Sequence, residues 1–286
     1  MGSAIVLIRG GLGNQMFQVA YGLVLAQRYG VTVGHVDFSK DARVSRDWGL
    51  SVFGIQQHPL SPARWALLRY ALIAARKVQN AIGWARPFGI QLEPESGGAV
   101  SWPTRAPWLA DGYWQQVSYY LEHLPLLRRQ FQVDLGAYDQ QGQLLRMKGR
   151  PVVAMHARRG DYVSDPAAAM HLVCDVAYYQ RAWQRMAARL ERPILWVFSD
   201  DPDWARAHLN FGPDTEFAHS EAGQPVWVDM MRMATCDHFI ISNSSYSWWA
   251  AMLACHADKQ VIAPAHWLVG RPTAEIGICP QDWTLL

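Results

Sequence analysis

Four short apolar runs, each followed directly by a loop rich in glycine, charged or hydroxyl side chains, constrain this chain more than any other feature. The runs occupy residues 4–8, 152–156, 194–198 and 238–242, and stretches with helical spacing follow them. This alternation predicts an α/β protein with parallel sheets. Because ligands of such sheets bind beyond the carboxyl ends of the strands, the four loops are the places to search for function.

The alternation occurs twice, with a break in the middle of the chain. Residues 136–150 are polar, contain Gln and Gly, and show no apolar period, which favours a linker. We therefore predict two Rossmann-like halves, at residues 1–135 and 151–286. Residues 62–79 are predicted to form a helix with a basic surface. Residues 87–112 are interrupted by Pro and Gly and are predicted to be loops.

Composition excludes several classes of protein. Hydrophobic residues make up 50% and charged residues 17% of the 286 residues, which excludes a disordered chain. The net charge of +2 does not favour a nucleic-acid binder. The four cysteines lack C-x-x-C spacing, which fits a reducing compartment. With no signal-peptide pattern and no apolar stretch of about 18 residues, we expect a cytoplasmic protein.

The first two loops carry groups that suit an anion. The segment RGGLGNQ at residues 9–15 lets the backbone approach a ligand at the start of a helix, although a tight turn would also explain its glycines. In HARRGDY at residues 156–162, Arg158 and Arg159 are permanently charged and match a phosphate with paired donors. Asp161 could orient one of them or accept a proton. A salt bridge within a turn is the alternative.

The third and fourth loops carry acceptors and hydroxyls. In FSDDPDW at residues 198–204, carboxylates could contact a ribose or guanine, or could cap the next helix. Asp201 and Asp203 also have the D-x-D spacing of metal-dependent sugar-nucleotide transferases. The segment SNSSYSWW at residues 242–249 could form a phosphate-binding nest or a helix cap. Together the four loops predict a site for a nucleotide diphosphate, and no Cys/His set predicts a bound metal.

With these loops in this order, the chain resembles the bacterial α-1,2-fucosyltransferases, glycosyltransferase family eleven. The similarity spans almost the whole chain. It is carried by GGLGNQMFQ at residues 10–18, GYWQ at 112–115, HARRGDY at 156–162, FSDD at 198–201 and SNSSYSWWAA at 242–251. The His-x-Arg-Arg pattern alone is shared with other fucosyltransferases. The last segment narrows the resemblance to this family.

The resemblance implies a fold and a reaction. It implies a GT-B-like α/β protein, with two Rossmann-like halves facing a cleft. The donor would be GDP-β-L-fucose and the acceptor a galactose-terminated glycan. Fucose would be transferred with inversion to the galactose 2-hydroxyl, forming an α-1,2 linkage. The family uses no cofactor and no divalent metal, which argues against the D-x-D interpretation.

The resemblance also implies roles for individual residues. Arg158 would neutralise the β-phosphate as the fucose–phosphate bond breaks. Asp161 would be either the base for the acceptor hydroxyl or the partner that orients Arg158, and a path with little or no protein base is a third option. The other implied positions all contact the donor or hold its loops: Asn14, Gln15, His156, Arg159, Asp200, Asn243, Ser244, Ser245 and Tyr246.

Two rival functions stay open at this stage. One is a fucosyltransferase that forms another linkage, on core N-acetylglucosamine or on a protein side chain. The other is a non-catalytic glycan-binding protein, since 14 Trp could supply sugar-stacking faces. A glycan-binding protein has no need of an arginine pair and a hydroxyl nest, which favours the enzyme.

One basic segment has no counterpart in the motifs. Residues 48–92 contain no Asp or Glu but five cationic side chains, and all five lie between residues 62 and 88. A basic amphipathic helix at 62–88 could contact the anionic inner face of a membrane. A solvated helix face is the alternative.

Overall fold

The structure is a computed structural model that describes residues 2–38, 47–83, 86–94, 101–160, 163, 170–171, 174–221 and 223–286. The chain forms two compact units, Met1–Gln130 and Phe131–Leu286. Each unit contains a parallel sheet with helices packed on it, as the alternating pattern predicts.

The first unit is built on a four-stranded sheet in the order β2-β1-β4-β3, and every pair of neighbouring strands is parallel. Its strands are β1 (Ser3–Ile8), β2 (Thr32–Asp37), β3 (Ile90–Leu92) and β4 (Leu109–Asp111). Its helices are α1 (Leu12–Tyr29), α2 (Pro62–Ile82) and α3 (Leu124–Gln130). The Ser61 side chain caps α2 by accepting a hydrogen bond from the Arg64 backbone N–H.

The structure corrects the prediction of loops at residues 87–112. This segment contributes β3 and β4, which complete the sheet beside β1. Each strand is only three residues long and buried throughout, so neither shows an alternating pattern that sequence reasoning could detect. Parallel pairing within the sheet, rather than local preference, makes them strands.

The second unit is built on a six-stranded parallel sheet in the order β12-β9-β8-β5-β6-β7. Its strands are β5 (Val152–Ala157), β6 (Ile194–Ser199), β7 (Thr215–Phe217), β8 (His238–Ile240), β9 (Val261–Ala263) and β12 (Thr284–Leu285), and β10 (His266–Leu268) and β11 (Arg271–Pro272) form an antiparallel pair. Its helices are α4 (Gln140–Arg146), α5 (Val176–Ala187), α6 (Pro202–His208), α7 (Trp227–Ala234), α8 (Ser245–Leu253) and α9 (Thr273–Ile276).

The predicted linker at residues 136–150 is part of the second unit instead. The division between the units falls after Gln130, and α4 lies within the 136–150 segment. Gln141 donates a hydrogen bond to the Phe217 carbonyl at 2.8 Å, and Arg146 donates one to the Thr235 hydroxyl at 2.7 Å. The polar side chains that resemble a solvated linker in the sequence therefore attach this segment to the second unit.

Much of the tryptophan content is used for packing. In the first unit, the Tyr21 ring stacks between Trp102 and Trp114, with centroid distances of 5.4 and 4.0 Å. Trp196, Trp248 and Trp249 are fully buried in the second unit. Trp114, Trp196, Trp248 and Trp249 are therefore core residues and are not available as sugar-stacking faces, whereas Trp102 is half-buried.

The difference in burial between two tryptophans predicts that their replacement by alanine will lower the free energy of unfolding by different amounts. Trp114 is fully buried, so Trp114→Ala should lower the free energy of unfolding by roughly 3–5 kcal/mol. Trp108 is 41% exposed, and Trp108→Ala should cost less than half as much. Urea unfolding followed by far-ultraviolet circular dichroism measures both. Equal losses would contradict the assignment of Trp114 to the core.

Candidate active site

Three of the four polar loops lie side by side in the second unit. Strands β8, β5 and β6 are neighbours in the sheet and all run in the same direction. Their carboxyl ends therefore bring together the loops that follow residues 240, 157 and 199. This places the arginine pair, the acidic loop and the hydroxyl-rich loop on one edge of the sheet.

Asp200, at the end of β6, holds the arginine loop that follows β5. Its Oδ2 lies 2.9 Å from Nη1 of Arg158, and its Oδ1 accepts a hydrogen bond from the Arg159 backbone N–H at 2.8 Å. The Arg158 and Asp200 side chains are 29% and 25% exposed, so the charged pair borders solvent and can reach a ligand. A carboxylate partner keeps the Arg158 guanidinium in one orientation.

Arg159 is held by different groups. Its Nε lies 3.4 Å from Oδ2 of Asp201, and its guanidinium carbon lies 3.9 Å from the centre of the Trp204 ring. Asp201 also caps α6 by accepting a hydrogen bond from the Trp204 backbone N–H. The ion pair and the cation–π contact therefore position Arg159 beside the start of α6.

The acids of the third loop have separate partners. Asp200 binds the arginine loop, Asp201 caps α6, and Asp203 is exposed and pairs with Arg206 at 3.3 Å. Among the residues that the structure describes, no group of three His, Cys, Asp or Glu side chains could hold a metal ion.

His156 lies near the carboxyl end of β5 and is buried. Its Nδ1 is 2.9 Å from the Ser242 hydroxyl, and its ring packs against Tyr246 at 5.6 Å between centroids. Burial lowers the pKa of His156 to about 4, although the Asp200 carboxylate acts in the opposite direction. The imidazole is therefore neutral at physiological pH and links β5 to the loop after β8.

The side chains of the fourth loop are engaged within the unit. Asn243 donates to the carbonyls of His171 and Trp267, both at 2.8 Å. The Tyr246 hydroxyl donates to one backbone carbonyl at 2.6 Å and accepts from the Met230 N–H at 2.8 Å. Ser244 caps α8, and Ser245 follows it, partly exposed, in the first helical turn. Donor contacts by these four residues stay predictions.

In the first unit, the two predicted residues at the start of α1 are also bonded locally. The Gln15 amide donates to the carbonyls of Gly10 and Asp47 and accepts from the Gly49 N–H. Asn14 accepts a hydrogen bond from Gln115 at 2.8 Å. Gln15 therefore fixes the glycine loop, and Asn14 joins that loop to the GYWQ segment. Their proposed contact with a donor stays a prediction.

Sequence reasoning missed a second set of charged residues, which surrounds Asp111 at the end of β4. Asp111 binds Arg9 at 2.5 Å through one carboxylate oxygen and Arg76 at 2.9 Å through the other. Burial alone would lower the pKa of Arg9, but the Asp111 carboxylate and Tyr113 outweigh it and raise that pKa. An acid that follows an apolar strand is a detectable signal, but it was hidden because β4 itself was not predicted.

Glu93, just after β3, holds the GYWQ segment through two hydrogen bonds. Its carboxylate accepts hydrogen bonds from the backbone N–H groups of Tyr113 at 2.6 Å and Trp114 at 2.9 Å. Trp114 has a positive φ of 58°, a conformation that L residues rarely adopt. Burial raises the pKa of Glu93, and the two N–H donors oppose that rise. Glu93 thus holds the strained turn that carries Gln115.

Asp161, the candidate base or orienting acid, lies outside the described residues. Asp200, which directly follows the neighbouring strand β6, is a described carboxylate that contacts Arg158.

Gly160 allows a direct test of the Asp200 contact. A Cβ at this position would lie 2.6 Å from Oδ2 of Asp200, the oxygen that binds Arg158. Gly160→Ala should therefore displace the carboxylate and weaken affinity for GDP, the nucleotide that the resemblance implies, by roughly tenfold, the worth of a charged hydrogen bond. Calorimetry measures this. Because the effect acts through Asp200, Gly160→Ala should cause no further loss of GDP affinity in a protein that already carries Asp200→Ala. Additive losses in the double variant would refute displacement of the Asp200 carboxylate as the cause.

The buried His156 predicts a pH-dependent stability. Its folded pKa is about 4 and its unfolded pKa about 6.5, so the unfolded chain binds the extra proton between these values. The contribution of neutral His156 to the free energy of unfolding is fully present above pH ~6.5. It is lost as the pH falls towards ~4, by at most about 3 kcal/mol. His156→Gln should flatten the slope, whereas exposed His208→Gln should not. His35, with a pKa also lowered by burial to about 4, and His238, whose pKa burial lowers too, should contribute to the slope that remains.

Comparison with known proteins places the sequence in a family. A profile of glycosyl transferase family 11 matches residues 91–283. An Escherichia coli protein named alpha-1,2-colitosyltransferase is 33% identical over 178 residues, which are 60% of this chain and 60% of that protein. Human galactoside alpha-(1,2)-fucosyltransferase 1 is 33% identical over 107 residues, 37% of this chain and 29% of the human one. The matched regions thus span 60% or less of these relatives.

Solved structures agree on the fold. The fucosyltransferase NodZ from Bradyrhizobium covers 95% of this chain and 96% of its own, with a TM-score of 0.53 and 15% identity. Escherichia coli ADP-heptose LPS heptosyltransferase II covers 100% and 90%, with a TM-score of 0.50 and 11% identity. Both structures are similar in fold to this chain, as expected for a GT-B protein. The chain has the GT-B fold, confirming that expectation, and belongs to glycosyl transferase family 11.

Proposed function

We propose that this protein transfers L-fucose from GDP-β-L-fucose to the 2-hydroxyl of a terminal galactose, with inversion, to form an α-1,2 linkage on a glycan. The observation that carries the proposal is the Arg158–Asp200 pair at the edge of the second sheet, next to the hydroxyl-rich loop at the start of α8. Membership of family 11, and the α-1,2 linkage in the names of two relatives, support the linkage.

Arg158 has the central chemical role in this proposal. As the fucose–phosphate bond breaks, negative charge grows on the departing GDP. A guanidinium held by Asp200 and bordering solvent is pre-oriented to bind that charge through paired N–H donors. Arg159, stacked on Trp204, supplies a second positive group beside it. Ser244 and Ser245 offer hydroxyls and helix N–H groups to the diphosphate.

The reaction is proposed to need no divalent metal, because the two arginines supply positive charge that a metal would otherwise provide. Asp161 keeps two roles in the proposal, as proton acceptor for the galactose hydroxyl or as a further partner for Arg158. Asp200 already binds Arg158. Asp161→Asn separates the two roles: a loss of turnover alone would support the proton acceptor, and a loss of GDP affinity together with turnover would support the partner of Arg158.

Incubation with GDP-fucose and a panel of β-galactosides tests the proposal, with the product linkage determined by NMR. We expect fucose on the galactose 2-hydroxyl, formed equally well in the presence of a chelator. A product on another hydroxyl or on N-acetylglucosamine would overturn the linkage. Loss of activity on chelation, restored by manganese, would overturn the metal-free mechanism.

The name of one relative indicates a second candidate for the donor sugar. Because the Escherichia coli relative aligned over 178 residues is named a colitosyltransferase, the colitosyl donor belongs in the same assay. Turnover with the colitosyl donor and not with GDP-fucose would change the proposed sugar without changing the linkage. Binding of galactosides with no turnover of either donor would favour a glycan-binding protein.

Replacing the central arginine separates geometry from charge. Arg158→Lys keeps the positive charge but cannot form the paired hydrogen bonds, so turnover should fall by on the order of a hundredfold. Arg206→Lys is the matched control, because Arg206 is exposed and pairs only at the surface with Asp203. Initial rates at saturating donor compare the two variants. Near-normal turnover of a folded Arg158→Lys protein would remove Arg158 from the leaving-group role.

A further inference from the structure

Helix α2 has an outer face that its own unit leaves uncovered. Its inner face packs Leu68, Leu72 and Ala75 against the sheet of the first unit. On the outer side, Leu67, Tyr70 and Ile73 are spaced three residues apart and are 69%, 73% and 52% exposed. A helix on the surface of a protein in water normally exposes polar residues there. This helix is therefore apolar both towards the core and towards the outside.

The outer face carries three neighbouring apolar side chains. Leu67, Tyr70 and Ile73 form what we call the α2 surface. Neighbouring exposed apolar residues on one helix face differ from the isolated apolar residues of an ordinary protein surface and indicate an interaction site. Ile82, in the last turn, is 71% exposed but lies nine residues after Ile73, on the opposite side of the helix, and is not part of this surface.

Cationic side chains accompany this surface. Arg64 and Lys77 are exposed on α2, and no Asp or Glu occurs anywhere in residues 48–92. Arg76 is directed inward to Asp111 and is not part of the surface. Long Arg and Lys side chains can lay their methylene groups on an apolar layer while their charged ends reach anionic groups above it.

The charge of the whole unit has the same sign. Residues 1–130 contain 13 Lys and Arg against 7 Asp and Glu, a net charge of +6. Residues 131–286 contain 13 against 17, a net charge of −4. The two units have equal numbers of Lys and Arg, but the unit that carries α2 has fewer acids and therefore a net positive charge. An extended anionic surface would attract that unit in preference to the other.

We propose that the α2 surface docks on an anionic lipid bilayer, with Leu67, Tyr70 and Ile73 entering the boundary between headgroups and acyl chains. An apolar stripe with cationic neighbours and no acid is the pattern of a helix that lies in a membrane interface. None of the helices in the described part of the chain is long and apolar enough to cross a bilayer.

The purely cationic character of residues 48–92 argues against a second copy of the chain as the partner of the α2 surface. In a two-fold symmetric dimer the same surface meets itself, so Arg64 and Lys77 would face the same cationic segment of the partner. The absence of Asp and Glu from residues 48–92 leaves no opposite charge there to pair with them. Anionic phosphate headgroups supply that opposite charge.

Vesicle flotation of the full chain tests the proposal. The protein should float with vesicles of phosphatidylcholine mixed with phosphatidylglycerol, and should stay unbound with phosphatidylcholine alone. High salt should weaken the binding, because surface charges are screened. Binding that is equal on both vesicles and insensitive to salt, or no binding to either, would overturn it.

Two variants separate the apolar and the charged contributions. Leu67→Gln, Tyr70→Gln and Ile73→Gln together should reduce partitioning by on the order of a hundredfold, since three exposed apolar side chains no longer enter the bilayer. Arg64→Gln with Lys77→Gln should reduce it by roughly twenty-fivefold, at about fivefold for each cation near an anionic surface. Both variants replace exposed side chains and should fold normally, which melting temperature checks.

Matched controls come from the second unit. Leu144→Gln with Met147→Gln removes apolar side chains that are 64% and 81% exposed, and Arg185→Gln with Arg189→Gln removes two exposed cations. Neither pair should change binding to vesicles; equal losses in the controls would show that the α2 surface is not the site. A wild-type dimer in sedimentation equilibrium that the triple variant abolishes would assign the surface to a second copy instead. Transferase activity on a free galactoside should be unchanged, so failure here leaves the proposed function intact.

Discussion

In each unit, a carboxylate at the end of one strand holds the loop that follows a neighbouring strand. Asp200 at the end of β6 binds Arg158 and the Arg159 backbone in the loop after β5. Asp111 at the end of β4 binds Arg9 in the loop after β1. Parallel strands make this arrangement available, because their carboxyl ends all lie at one edge of the sheet. The loops that carry the family motifs depend on these contacts for their orientation.

Other polar side chains also hold the motif loops in place. In the second unit, His156 is kept uncharged by burial and joins β5 to the loop after β8, while Asn243 ties that loop to two more carbonyls. In the first unit, Gln15 and Glu93 hold the glycine loop and the GYWQ turn. Several motif residues thus orient the backbone around them. The guanidinium groups of Arg158 and Arg159, by contrast, are partly exposed at this edge of the sheet.

The helical and strand pattern was predictable where elements are long and periodic. Helices α1 and α2 and strands β1, β5 and β6 follow from apolar spacing and the residues at their ends. Strands β3 and β4 did not, because three buried residues carry no period, and the supposed linker proved to be packed by Gln141 and Arg146. The missed set around Asp111 has the same cause, since an acid at a strand end is recognised only when the strand is.

The sequence by itself determined the family, the α/β class, the parallel sheets and the residue types on each loop, since motif order and apolar period are local properties of the chain. Tertiary structure alone decided which of those residues meet. It paired Arg158 with Asp200, buried Trp114, turned Tyr246 and Asn243 towards the backbone, and left Leu67 and Tyr70 on an uncovered face. The physical reason is that strand neighbours and buried faces depend on contacts between distant segments, and no local pattern encodes those contacts.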